Sequence, residues 1–244
     1  MKDFSTYYGG QNGSGHYQIL INHVPVHDIH IEGFLGMSGI FKNMSMPAGV
    51  RRYGFDLDKE VVDWWNKCQD PGDTSIYVHS DYAAAGIVLS MLPANARIFI
   101  HFDPPYRKTR SPLKYKHKPT GDNWYMDMLD FIALNRGENI YWMVSHWKDD
   151  LFDQLFKFGF HHVPFKTISR AGLIDNGIYV NYDITQLELA CFDYVGSGYT
   201  DRQRIKRKVG RMAKKVMSMS AGERGLLYRE LGVAMQASRF KAFR

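Results

Sequence analysis

The chain has 244 residues, enough to bury a full core, and its 45% hydrophobic and 23% charged content are those of a soluble globular protein. No apolar run reaches membrane-spanning length, the start Met1-Lys2-Asp3-Phe4-Ser5-Thr6 lacks the basic and apolar regions of a secretory signal, and two cysteines without metal spacing fit a reducing cytoplasm. The net charge of +6 is unevenly spread: residues 201–244 carry 13 Lys+Arg against 3 Asp+Glu, whereas residues 1–200 carry 18 against 22. A mildly acidic body followed by a strongly basic tail points to a polyanion, and nucleic acid is the commonest such partner. The alternative is a solvated helical face.

In chain order, short β-rich runs alternate with helix-like stretches. Expected strands are Asp28–Glu32, Arg52–Asp56, Ser75–His79, Ile98–Phe102, Ile140–Ser145, His161–Phe165 and Gly177–Tyr182. Tyr17–Asn22, Lys59–Lys67, Ala83–Leu89, Trp124–Asn135 and Asp149–Phe158 read as the interleaved helices, with Asp58 as N-cap of the second. This alternation predicts an α/β fold with a mostly parallel seven-stranded sheet over 1–199. Residues 200–244 form a second region. There Ile205, Val209, Met212 and Val216 fall on one helical stripe amid lysines and arginines, and Ser220 with Glu223 reads as a capping box, so a basic helical hairpin docking on the body is expected.

The segment with most chemical content is Asp103-Pro104-Pro105-Tyr106, at the end of the apolar run Ile98–Phe102. Each proline fixes φ and removes a backbone donor, which leaves a rigid loop rich in acceptors with an aromatic ring beside it. The tetrapeptide resembles the Asp-Pro-Pro-Tyr loop of Dam-like, phage-type DNA adenine-N6 methyltransferases, and other segments follow in the order that this family uses. Tyr7-Tyr8-Gly9-Gly10-Gln11 is similar to the segment closing over the methionine end of S-adenosylmethionine, with Gln11 in place of a lysine. The Ile31–Gly39 segment resembles the glycine loop beneath that donor, with Phe34 lining the pocket and Gly36 allowing close approach. It departs from the family at Gly33, where proline is usual, and at Met37 and Ser38, where glycines are usual. Asp56 lies twenty residues past Gly36, at the position of a ribose-binding carboxylate, and Asp81-Tyr82 follows the third strand where the family places an acid for the adenine amine.

The resemblance implies a Rossmann-like methyltransferase using S-adenosyl-L-methionine and no metal. Asp103, Pro104, Pro105 and Tyr106 would be its catalytic loop, acting on an adenine flipped out of DNA. Asp103 and the Pro104 carbonyl would accept from the N6 amine while Tyr106 stacks on the base. Only 46 residues separate Asp56 from Asp103, so the recognition insertion of many relatives is missing and a short or relaxed target is expected. Arg107, Lys108, Arg110, Lys114, Lys116 and Lys118, with Tyr115 for stacking, and Arg204, Arg207, Lys208 and Arg211 in the tail, are the expected phosphate contacts. Ser145-His146-Trp147 stands where the family often lines the base pocket; no function transfers to Asp175–Asn181. His16, His23, His27, His30, His161 and His162 read as surface or packing residues. The activity expected is cytoplasmic DNA adenine methylation in a phage or restriction-modification setting, alone, as a homodimer or with a partner subunit. RNA methylation, or a non-catalytic binder on a decayed fold, remains open as an alternative.

Overall fold

A computed structural model describes residues 15–107, 115–169, 172–185 and 188–241. The chain divides into two compact units, Met1–Asp193 and Tyr194–Arg244.

The first unit is built on a seven-stranded sheet of order β3-β2-β1-β4-β5-β7-β6. Its strands are β1 (Ile29–Glu32), β2 (Arg51–Asp56), β3 (Ile76–His79), β4 (Ile98–Phe102), β5 (Ile140–Ser145), β6 (His161–Ser169) and β7 (Gly172–Val180). Pairs β1–β2, β1–β4, β2–β3 and β4–β5 are parallel, and β7 runs antiparallel to both β5 and β6. This is the α/β arrangement with a mostly parallel seven-stranded sheet expected from the sequence. The central strands β1 and β4 are buried at every position, and their apolar residues are interrupted only by the buried His30, Glu32 and His101. Strand order reverses between β1 and β4, so the crevice at their carboxyl ends is the topological switch point where such sheets bind ligands.

Helices α1 (His16–Ile21), α2 (Gly39–Asn43), α3 (Lys59–Lys67), α4 (Ala84–Met91) and α5 (Asn123–Leu134) complete this unit, with a 3₁₀ segment at Phe152–Phe158. Asp58 caps α3 by accepting from Glu60 N–H at 3.0 Å, so the helix starts where the sequence places it. Helix α5 buries Tyr125, Met128, Leu129 and Ile132, spaced i, i+3, i+4 and i+7. Each buried side chain of this size contributes roughly 1.5–3 kcal/mol. They meet an aromatic cluster in which Phe102 stacks on Phe131 (6.1 Å, 8°) and meets Trp142 edge-on at 5.1 Å.

Three expectations change. In place of the helix expected at Asp149–Phe158 there is a 3₁₀ segment at Phe152–Phe158; ahead of it Asp149 accepts from Leu151 N–H at 2.9 Å, and Gly159 ends it at φ +81°. Helix α2 was not expected; its cap is Ser38, whose Oγ accepts from Phe41 N–H at 3.1 Å. Strands β6 and β7 are each nine residues, longer than expected, and join in a continuous ladder from His161–Val180 to Ser169–Gly172. Gly177 lies in the middle of β7, where a Cβ would sit 2.1 Å from the His162 ring.

The second unit contains α6 (Tyr199–Met217) and α7 (Ala221–Lys241). The capping box forms reciprocally: Ser220 N–H donates to Glu223 Oε2 at 2.7 Å and Glu223 N–H to Ser220 Oγ at 3.3 Å. No side chain of α6 is buried, and Val209 and Met212 of its apolar stripe are exposed. No described helix is long and apolar enough to cross a membrane.

Candidate active site

A solvent-open cleft of about 890 Å³ occupies the switch point. Its wall includes the loop after β1 (Glu32–Gly39), Asp56 after β2, Ser80-Asp81-Tyr82 after β3, and His101, Asp103 and Pro105 of β4 and its loop. Strand-end residues far apart in sequence are thereby brought to one cleft.

The loop after β1 is held closely. Gly33 N–H donates to the His101 carbonyl at 3.1 Å, and a Cβ at Gly33 would fall 2.1 Å from the Phe102 ring. A proline here would lose that bond and strike the ring, so the departure from the family pattern follows from Phe102. Gly36 turns at φ +41°, donates to Asp56 Oδ2 at 2.7 Å and accepts from Trp65 Nε1–H at 2.8 Å. Ser38 donates from Oγ to Glu32 Oε1 at 3.0 Å, a second job that a glycine at that position could not do. Phe34 lies against Tyr82 (5.7 Å) and Trp124 (5.8 Å) along the cleft.

Asp56 also accepts from Asp58 N–H at 2.7 Å; burial pushes its carboxyl pKa up, outweighing these bonds. Each of its oxygens keeps a lone pair for a ligand hydroxyl. Asp81 is exposed and accepts from Ala83 N–H at 3.0 Å, while Tyr82 is buried and its hydroxyl is pushed up to about 12, mainly by burial.

The Asp103–Tyr106 loop is anchored at its last two residues. Tyr125 donates its hydroxyl to the Pro105 carbonyl at 2.8 Å. Tyr106 donates to Asn176 Oδ1 at 3.1 Å, and its ring meets His146 and Trp147, each at 4.9 Å. Asp103 and Pro105 face the cleft, Pro104 is buried, and Tyr106 is turned toward the β5–β7 side, outside the cleft lining. Ser145 and His146 are buried, so of that tripeptide only Trp147 is partly open. His146 accepts from Arg107 N–H at 3.2 Å and lies against its own neighbour's carbonyl, Trp147 O, at 2.7 Å. Burial keeps it neutral, its pKa lowered to about 4.

Arg107 differs most from expectation. Its guanidinium forks onto Asp122 (2.7 and 2.7 Å) and onto Asp149 (2.8 and 3.1 Å), so its charge already has two carboxylate partners within the protein. Tyr115 and Lys116 stand in the cleft wall, and Lys116 pairs with Asp58 at 2.7 Å. Lys118, Arg207, Lys208 and Arg211 are exposed, and Arg204 pairs with Asp201 at 2.7 Å. Tyr7, Tyr8, Gly9, Gly10, Gln11, Lys108, Arg110 and Lys114 lie outside the described residues.

A buried polar ladder beneath Asp103 was not foreseen. His101 lies 2.8 Å from Glu32 Oε2 through Nδ1 and 2.9 Å from Ser145 Oγ through Nε2, linking β1, β4 and β5; His30 Nε2 lies 3.3 Å from Glu32 Oε1. Burial opposes both charges, but the partners prevail: Glu32 is held down at about 2, and the His101 pKa is raised by Glu32. Three polar residues in two otherwise apolar strands, His30 and Glu32 in β1 and His101 in β4, were the available signal. Among the described residues, no group of three His, Cys, Asp or Glu side chains could hold a metal ion.

No family model matches the sequence, and no curated protein matches it. Solved structures with a similar chain path include an rRNA methylase from Streptococcus thermophilus, 11% identical over 67% of this chain and 92% of that one, with a TM-score of 0.42. TrmN from Thermus thermophilus is 11% identical over 68% of this chain and 47% of its own, with a TM-score of 0.42. TrmK from M. capricolum, solved with S-adenosyl-homocysteine, is 8% identical over 93% and 97%, with a TM-score of 0.40. At these identities and TM-scores the likenesses assign no activity to this chain.

Proposed function

We propose that this protein is an S-adenosyl-L-methionine-dependent methyltransferase acting on the N6 amine of adenine in nucleic acid, with DNA as the leading substrate. One observation carries the reading: Asp103 and Pro105 stand in the wall of the same cleft as the glycine loop and the strand-end acids Asp56 and Asp81.

The cleft suits the donor. Gly36 brings backbone close without a side chain, Asp56 offers acceptors at the end of β2, and Phe34 and Tyr82 supply aromatic wall for an adenine ring. Asp81 would accept from that ring's amine. Bound there, S-adenosylmethionine supplies an electrophilic sulfonium methyl. The chain's own part is to prepare the acceptor. The adenine amine is a weak nucleophile because its lone pair is delocalised into the ring. The Asp103 carboxylate and the Pro104 carbonyl would accept its two N–H groups and draw the nitrogen toward a tetrahedral geometry, and Asp103 would take up the proton lost as the N–C bond forms. Positioning and electrostatics supply the acceleration. The two anchors of the loop, Tyr125 on Pro105 and Asn176 on Tyr106, hold Asp103 in place. The departures at Gly33 and Ser38 are accounted for by Phe102 and Glu32, which supports a working pocket over a decayed one.

The test is transfer of a labelled methyl group to duplex DNA, single-stranded DNA and RNA side by side. Asp103→Ala should abolish transfer while donor affinity stays within about threefold. Near-normal turnover in that variant, or absence of donor binding to the wild type, would sink the proposal. Preferred labelling of RNA would move the substrate to the second reading.

A further inference from the structure

Beside the Asp103–Tyr106 loop lies a second, wider cavity of about 1340 Å³, separate from the donor cleft. Trp147, Phe156 and Phe165 are among its lining residues, and so are Lys148 and Lys166. Tyr106 adjoins it through two contacts already described, the hydrogen bond to Asn176 and the edge-on ring of Trp147; both partners are lining residues. The catalytic tetrapeptide therefore faces the donor cleft at one end and this groove at the other.

The groove lies at the root of a projecting ribbon. Strand β7 pairs with β5 only through Ile178–Val180, and Ile178 is opposite Ser145, the last residue of β5. Residues Gly172–Asn176 pair with β6 alone and extend past the carboxyl end of β5, the side on which Asp103 stands. Leu173 and Ile174 on this extension are exposed. The one acid in the groove, Asp175, pairs with Lys166 at 3.6 Å, and both side chains are so exposed that the pair holds neither firmly.

We propose that the groove and ribbon hold a single, unpaired stretch of the nucleic-acid strand next to the target base. Bases of that stretch stack on Trp147 while Lys148 and Lys166 meet the phosphates. Aromatic faces beside lysines are the combination that binds single strands with little regard to sequence. Such faces serve unpaired bases, because a duplex offers its ring faces only at its ends. With Arg107 occupied by Asp122 and Asp149, the groove lysines Lys148 and Lys166 are cations beside the loop that line this cavity. The proposal rests on the reading that the chain modifies a nucleic-acid base, and it adds where the strand lies.

The test is fluorescence anisotropy with a labelled 12-mer as single-stranded DNA, as RNA and as DNA duplex, using the full chain. Single strands should bind more tightly than the duplex. Trp147→Ala should weaken single-strand binding roughly 5- to 150-fold, with Trp147→Phe close to wild type and donor affinity unchanged in both. Lys148→Ala/Lys166→Ala should flatten the dependence of log K on log salt by about 1.4. The proposal is overturned if Trp147→Ala binds within twofold of wild type, if Trp147→Phe is as weak as Trp147→Ala, or if duplex is preferred. Should the wild type methylate DNA or RNA while these variants bind normally, only the groove assignment fails. Should it bind no oligonucleotide in any form, the functional reading fails with it.

Discussion

Arg107 separates a structural cation from a phosphate contact, and Arg107→Gln tests which it is. Asp149 is 3% exposed and Arg107 17%, so this half of the fork is a buried pair, whereas Asp122 is 53% exposed. Stripping one partner from a buried pair costs about 3–5 kcal/mol. The lower end applies here, because Asp149 keeps the Leu151 N–H bond and Arg107 retains some solvent. Loss of the exposed half adds about 0–1 kcal/mol. The expected destabilisation is about 3 kcal/mol, a drop of roughly 6–12 °C in Tm for a chain of this size. Denaturant unfolding of Arg107→Gln, Asp149→Asn and the double variant measures it. The double variant should be less destabilised than the sum of the singles by at least about 1 kcal/mol, because no charge is then stranded. If Arg107→Gln unfolds within about 0.5 kcal/mol of wild type, an amount usual for surface changes, while oligonucleotide affinity falls, the internal fork is not what this arginine is for.

Gly33→Ala should destabilise by about 1–3 kcal/mol and weaken donor binding, since its methyl would occupy the Phe102 ring position; partial recovery on adding Phe102→Leu, followed by thermal unfolding, checks the cause. Tyr125→Phe removes the bond to Pro105 and should cost about 1 kcal/mol, with kcat reduced and donor affinity kept; steady-state kinetics with both substrates varied would show an unchanged kcat if the anchor is idle. The Glu32–His101 pair gives a pH signature. Glu32, lowered to about 2 from 4.5, contributes stability above pH 4.5 that is lost on descent toward 2. His101, raised above 6.5, contributes below pH 6.5 and loses that contribution as pH climbs through its folded value. The stability gap between wild type and His101→Gln should therefore be widest between pH 4.5 and 6.5, and a flat gap across pH 3–9 would contradict the pairing.

Much of the fold was legible because its signals are local. Strands β4 and β5 and helix α3 begin and end where the sequence places them, since apolar runs and the Asp58 cap are complete within a few residues. The acids at strand ends could be read as a set because a parallel sheet delivers every carboxyl end to one edge. What escaped depends on partners far along the chain. His101 finds Glu32 69 positions away, and Arg107 finds Asp149 42 away, so one looked like part of an apolar strand and the other like part of a basic loop. Asp175-Asn176-Gly177 carries the local chemistry of a turn, yet the ladder to β6 draws it into a strand, and Gly177 makes room for His162. The short helix α2 hid among glycines for the opposite reason: its cap, Ser38, also answers to Glu32.

The unbroken nine-pair register between β6 and β7 imposes a parity rule on any natural or engineered variation at the ribbon's free end. Neighbouring positions along a strand face opposite ways, so adding one residue to a single arm must either create a bulge or invert every side chain outward of it. Matched additions of two residues per arm would lengthen the reach while keeping the orientation of Phe165 and Lys166 at the base. Variation in length should accordingly arise in steps of four residues, leaving strands β1 to β5 untouched.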